Sequence, residues 1–467
     1  MSASGKCEWC HGGYPARPNG RDRQHGGTGG LSRYSHDRNE YMSSEMLMKL
    51  VQDRRAGKCS GIVSVCSAHP LVIEAAFRQG LMENTAVLIE ATCNQVNHRG
   101  GYTGMTPEKF RIFVEKIARQ VSFPVERIIM GGDHLGPNPW KNLSADAAMT
   151  EARAMVEAYA KAGFTKLHLD TSMGCSGEPI ALSDSLTASR AATLAKVAED
   201  AVRERGTEAP VYVIGTEVPI PGGALEAIDS LEVTKPNAAI ATLDIHRRAF
   251  EAAGLSDAFI RVIAAVVQPG VEFGNENVIV YDREKAQALS ASLDSMPIPI
   301  LFEAHSTDYQ PEKALAALVQ DGFAILKVGP GLTFALREAL YGLDHIAIEL
   351  QLETDSTGLR MCMEKLMLRE PEYWQRYYHG SDQALRIQRH FSYSDRIRYY
   401  WTHPDAMAAV SRLFAVLEDV AIPETLISQY LARVYPQVMS GQLVPAPREL
   451  VIASVQQVLA EYAVAVG

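Results

Sequence analysis

Asp133 and His134 stand side by side in Gly131-Gly132-Asp133-His134-Leu135-Gly136-Pro137, and Glu303 and His305 alternate in Phe302-Glu303-Ala304-His305-Ser306-Thr307-Asp308. Imidazoles beside carboxylates are the side chains that bind divalent metals or move protons. His134 and His305, with a carboxylate such as Glu217 or Asp133, form a set that can hold a metal, zinc first among the candidates, and leave a position open. Such a metal would polarise a sugar carbonyl or stabilise an enediolate. Asp133 is a natural proton-transfer group beside it, and Glu217, Asp170 and Glu90 are further carboxylates for the same chemistry. The spacing is not a local metal motif, and His134 could equally donate an N–H to a loop carbonyl.

Gly329-Pro330-Gly331 is a glycine turn leading into a helical stretch. Backbone N–H groups at such a turn bind phosphate. Ser306 and Thr307 would be neighbours, and Lys327, Arg99 and Lys141 are candidate counter-charges. A plain strand-to-helix turn would use the same glycines.

These residues are positioned by alternating strands and helices. Ile62–Cys66, Ala86–Ala91, Arg127–Gly131, Lys166–Asp170, Val211–Gly215, Ile260–Val267, Ile298–Glu303 and Phe323–Val328 read as strands of four to eight residues bounded by turns. Between them, Thr106-Pro107 is a cap and first-turn pair, 145–162 and 187–205 carry helical periodicity and stop at Gly163 and Gly206, and Pro311 opens another helix. Repeated strand–helix units imply a parallel sheet with right-handed crossovers, and eight of them imply an α/β fold, a (β/α)8 barrel. An open doubly wound sheet would show a glycine fingerprint after the first strand, where Ser67-Ala68-His69-Pro70 stands instead. The strand ends carry Glu90, Asp133-His134, His168-Leu169-Asp170, Glu217, Glu303 and Lys327. Alternation puts His168 with Asp170, and Glu303 with His305, on shared faces. In a barrel these would converge on one mouth. A self-satisfied hydrogen-bond network could use any one of them, but the set together reads as a site.

The barrel is expected over 42–352, with a helical C-terminal extension over 353–467 rich in aromatic residues. Residues 1–41 hold eight glycines, one leucine and neither isoleucine nor valine, and read as a flexible tail. The 467 residues are 47% apolar and 21% charged, which supports a large core, and the net charge of −10 leaves no global basic surface for nucleic acid. The apolar runs are strand-sized, so no membrane span is expected, and no signal peptide is evident. Seven scattered cysteines read as reduced thiols. Cys7-Glu8-Trp9-Cys10-His11 matches a haem-attachment pattern, but nothing suggests export and no second half of a zinc site follows.

Longer strings carry a resemblance. Ser64-Val65-Cys66-Ser67-Ala68-His69-Pro70, Ile89-Glu90-Ala91-Thr92-Cys93-Asn94-Gln95-Val96-Asn97, the two strings around Asp133 and His305, and Lys327-Val328-Gly329-Pro330-Gly331-Leu332-Thr333-Phe334-Ala335 resemble the GatZ/KbaZ family over about 42–467. The resemblance implies a TIM barrel and a place in galactitol, N-acetylgalactosamine or tagatose metabolism. Family members are described as the non-catalytic subunit of class II D-tagatose-1,6-bisphosphate aldolase, supporting a separate zinc-dependent GatY/KbaY-like chain. Some are labelled tagatose 6-phosphate kinase, and related proteins are metal-dependent 4-epimerases. The chain has no G-x-x-x-x-G-K-[ST] loop and no Gly-Ala-Gly-Asp turn, so the sequence gives kinase chemistry no support. The expectation is a cytoplasmic, oligomeric protein acting on a ketohexose phosphate or bisphosphate. It would support an aldolase chain or, in the alternative, act alone as a metal-dependent 4-epimerase or aldolase.

Overall fold

The computed structural model describes residues 43–215 and 231–467. The expectations for residues 1–41 and for Glu217 lie outside the described residues.

Eight parallel strands close into a barrel. They are β1 (Ile62–Val65), β2 (Val87–Thr92), β3 (Ile128–Leu135), β4 (Lys166–Leu169), β5 (Val211–Ile214), β6 (Val262–Val266), β9 (Leu301–Ala304) and β10 (Phe323–Val328). A small antiparallel hairpin, β7 (Glu272–Phe273) and β8 (Val278–Ile279), interrupts the repeat after β6 and was not anticipated. Around the barrel the order is β1-β10-β9-β6-β5-β4-β3-β2, so each strand follows its predecessor and β10 closes on β1.

The expected helices form where the caps placed them. The Thr106 hydroxyl accepts the Lys109 N–H at the head of helix Pro107–Gln120, and Gly206 closes helix Asp184–Arg205 at φ +63°. Apolar residues divide between two cores. One fills the barrel interior, with Leu88, Ile129, Val213, Ile263 and Ile325 buried there. Leu47, on the first helix Ser43–Arg55, joins that interior cluster, so this helix plugs one end of the barrel. The larger core lies between the strands and the surrounding helices.

β3 runs four residues beyond its expected end at Gly131. Its register with β4 slips between Gly132 and Leu135, a bulge with His134 at φ +49°. Strict alternation would send Asp133 and His134 to opposite faces; the extra residue lets both serve one mouth.

The C-terminal part is helical. Its last helix, Pro447–Val466, packs on helices Pro70–Glu83, Glu312–Gln320 and Pro330–Glu349. By length and composition alone this helix could cross a membrane, and 50% of its 18-residue apolar window is buried within the fold, as in a core helix. The Val466 carbonyl accepts the Gly61 N–H at 3.0 Å, next to β1.

Candidate active site

The strand ends open into a cavity of about 440 Å³ lined by Asp133, His134, Asp170, His305 and Lys327, among others. Three imidazoles face one another at this end: His134 and His305 line the cavity, and His168 is fully buried next to them. Ring centroids lie 4.8 Å apart for His134 and His168, 4.9 Å for His134 and His305, and 5.3 Å for His168 and His305. One nitrogen from each and one Asp133 oxygen all fall within 4.8 Å of one another.

The surroundings fix which nitrogen keeps its lone pair. His168 Nε2–H donates to the Gly215 carbonyl at 3.0 Å, which leaves the ring's one lone pair on Nδ1; the His134 backbone N–H meets it in a long bond of 3.3 Å that a bound cation would displace. That same Nδ1 sits 2.9 Å from Asp133 Oδ1. Two acceptors so close repel unless a proton or a cation lies between them. His134 Nδ1–H donates to Asp170 Oδ2 at 3.0 Å, leaving Nε2 basic and 3.7 Å from Asp133 Oδ2. His305 Nε2–H donates to Glu303 Oε1 at 2.9 Å, so the ring's lone pair is on Nδ1. Imidazoles oriented by carboxylates and a carbonyl are the usual arrangement of histidine metal ligands. The residues present therefore fit a divalent cation.

Beneath the imidazoles lies a buried charge network. Lys166 bridges Glu90 Oε1 at 2.5 Å and Glu303 Oε2 at 2.7 Å, and all three side chains are inaccessible to solvent. Lys327 bonds Glu90 Oε2 at 2.9 Å, contacts Asp133 Oδ1 more closely still, and lies 3.7 Å from Glu303. Burial works against these charges, but mutual pairing prevails. Glu303 is held well below the ordinary carboxylate range by Lys166 and Lys327, and Asp133 likewise by His134 and Lys327. Lys327 is held well above the ordinary amine value by Asp133 and its other neighbours. Burial pulls His168 below the ordinary imidazole value, against the pull of Asp133. Asp170 falls below its usual range because the bond to His134 and its charge outweigh burial. Gly131 leaves room for the network: a Cβ there would meet Glu90 Cγ at 2.5 Å.

The structure thus brings together Asp133, His134 and His305 as the sequence suggested and adds His168, which the sequence reading placed on the right face without making it a ligand. Asp170 orients His134 and also accepts the Ser172 hydroxyl at 2.7 Å. Glu90 is not at the mouth as a free acid or base; it lies under it, tied to two lysines. Lys166 was overlooked, although Lys166, His168 and Asp170 alternate in the sequence.

The expected phosphate cradle is occupied from within. Asp308 Oδ1 accepts the Gly329 N–H at 2.9 Å and the Gly331 N–H at 2.7 Å, the two amides a phosphate would have used. Burial pushes the Asp308 carboxyl up to about 6, against these bonds. The Thr307 hydroxyl donates to the Lys327 carbonyl at 2.6 Å and is 3.0 Å from the Tyr462 hydroxyl of the last helix, so it too is engaged. Ser306 does line the cavity, at φ +52°. Of the expected counter-charges, Lys327 is spent on carboxylates, and Arg99 is an exposed residue bound bidentately to Glu151, away from the cavity lining. Lys141 is exposed. Among the described residues lining the cavity the remaining lysine or arginine is Arg398, contributed by the C-terminal part with Tyr399 and missed in the sequence.

Comparison with known proteins adds three findings. The family model for the GatZ/KbaZ-like D-tagatose-1,6-bisphosphate aldolase subunit matches residues 47–467. A D-tagatose 6-phosphate 4-epimerase from Agrobacterium fabrum strain C58 is 58% identical over 422 residues, which is 90% of this chain and 98% of that one. A crystal structure of a probable tagatose 6 phosphate kinase from Sinorhizobium meliloti 1021 is 60% identical with a TM-score of 0.81, covering 87% of this chain and all of that one.

Proposed function

The chain belongs to the GatZ/KbaZ-like family, and from that premise we propose that it is a metal-dependent D-tagatose 6-phosphate 4-epimerase, active without a partner chain. The observation that carries the reading is the convergence of His134, His168, His305 and Asp133 on one point of the cavity, each imidazole oriented through its other nitrogen. The resemblance to the Agrobacterium epimerase supports the choice of substrate.

Inverting C4 of a 2-ketose is not a simple proton exchange, because the C4 hydrogen is not adjacent to the carbonyl. Breaking and remaking the C3–C4 bond solves this. The C4 hydroxyl loses its proton, the C3–C4 electrons pass onto C3 and the C2 oxygen as an enediolate, and C4 becomes an aldehyde. The aldehyde turns its other face, the bond re-forms and the proton returns to the C4 oxygen. His134, His168 and His305 would hold a divalent cation, which when bound would polarise the carbonyl and acidify the hydroxyl. Asp133 is the proton acceptor. Its ion pairing with Lys327 makes it a weak base alone, so it accepts only from an acidified hydroxyl. Lys327 keeps Asp133 ionised.

The family description favours a second reading, support of a GatY/KbaY-like aldolase chain. Carbon NMR of the purified chain with D-tagatose 6-phosphate and zinc separates the two. Conversion to D-fructose 6-phosphate, abolished by chelator, is the expected result. No conversion with any divalent metal, together with rescue of an aldolase chain's activity, would establish the supporting role instead.

A further inference from the structure

A phosphorylated sugar must bring its dianion into a cavity that already contains Asp133, Asp170 and Asp308. Such a ligand needs a cation that is not already neutralised. Lys327 and Arg398 are the lysine and arginine among the described residues lining the cavity, and Lys327 is committed to Glu90, Asp133 and Glu303. Arg398 differs. Its Nη1 donates to the backbone carbonyls of Ser394 and of Asp395, the latter at 3.1 Å, and its Nη2 to the Tyr399 hydroxyl at 2.9 Å. All three are neutral oxygens, so the guanidinium is held in place but not neutralised by direct pairing.

The turn carrying it is built to be rigid. Residues Arg396–Tyr400 form a short 3-10 helix entered through Asp395 at φ +43°. The Asp395 carboxylate accepts the Thr333 hydroxyl at 2.7 Å and Arg337 Nε at 3.0 Å, all three side chains buried. Thr333 and Arg337 belong to helix Pro330–Glu349, the helix that follows β10. The strained residue is thus pinned to the barrel, and Arg398 is fixed relative to the imidazoles. Tyr102 and Tyr399, with rings 5.1 Å apart and edge to face, line the cavity beside it.

We infer that Arg398 is the anchor for the substrate's phosphate, taking the role that the Gly329-Pro330-Gly331 turn cannot fill with its amides bound to Asp308. The inference rests on the sugar-phosphate reading of this cavity and deepens it. Arg398 acts by binding and positioning; the chemistry stays with Asp133 and the imidazoles.

Calorimetric titration of the metal-loaded chain with D-tagatose 6-phosphate, D-tagatose and inorganic phosphate tests it, comparing wild type with Arg398→Met and Arg398→Lys. Loss of a charge-assisted contact weakens sugar-phosphate binding about 10- to 100-fold in Arg398→Met. Arg398→Lys recovers part of the loss, and D-tagatose binding is unchanged. Inorganic phosphate bound by wild type and lost in Arg398→Met supports the anchor even if no epimerisation is seen, in which case only the activity reading fails. Equal sugar-phosphate affinity in wild type and Arg398→Met, equal weakening for D-tagatose, or no phosphate or sugar-phosphate binding by wild type would overturn it.

Discussion

His134 depends on its neighbour Asp170, which accepts the Nδ1 proton at 3.0 Å and so turns Nε2 into the lone-pair nitrogen. Replacing that carboxylate by a neutral amide, Asp170→Asn, should weaken metal binding about 10- to 100-fold with no loss of fold. Competition against a chromogenic chelator measures it, and unchanged affinity would remove Asp170 from the metal's support. Asp308 gives a pH signature separate from the imidazoles. Its carboxyl is raised in the folded chain to about 6, against roughly 4 when unfolded. Between those values the folded state binds the extra proton, so this contribution to stability is full below about pH 4 and is lost as pH rises through about 6. Asp308→Asn keeps an acceptor for the Gly329 and Gly331 amides without the charge. It should gain stability relative to wild type between pH 4 and pH 7, by about 2–3 kcal/mol for a shift of some two pH units. Urea unfolding at the two pH values reads this directly, and a constant difference would show that Asp308 does not titrate there.

Strands β2, β4, β9 and β10 are joined through their side chains as well as their ladders, because Glu90, Lys166, Glu303 and Lys327 meet inside the barrel. Lys166→Met would leave two buried carboxylates short of a partner and should cost about 3–5 kcal/mol of stability. Adding Glu303→Gln should restore part of it, because one uncompensated charge is then removed. A Lys166→Met chain as stable as wild type in urea would mean that the network contributes little. At this scale most of the fold was legible. Strand runs, glycine stops and the Thr106-Pro107 cap are local signals, and the barrel follows from their repetition. The β3 bulge was not legible. The apolar run ends at Met130, and nothing in Gly131-Gly132-Asp133-His134 announces a slip of register, which shows only in the pairing with β4. His168 as a candidate ligand was partly legible, since alternation placed it on the same face as Asp170. Its proposed role emerges only once the Gly215 carbonyl, just past the end of β5, accepts its Nε2–H.

Across the whole molecule, the C-terminal part helps build both the barrel's support and the mouth of its cavity. Tyr462 on the last helix donates to the Thr307 carbonyl at 2.7 Å, and Arg398 and Tyr399 line the cavity. These long-range contributions were illegible for a physical reason. Arg398 lies 264 positions from His134 in the numbering, and neither strand periodicity nor a turn motif links them. The glycine turn after β10 was conspicuous by comparison, yet a side chain of the same chain, Asp308, uses its amides. If the chain holds all the groups needed for the reaction, one bound metal ion per chain must suffice. Zinc or manganese titrated into the metal-free chain, with bound metal and conversion of D-tagatose 6-phosphate measured in the same samples, is the direct test. Turnover should rise in proportion to the first equivalent bound, and His168→Ala should lose both. Full turnover by a chain carrying no detectable metal, or tight binding of one equivalent without turnover, would refute a self-sufficient metal-dependent epimerase.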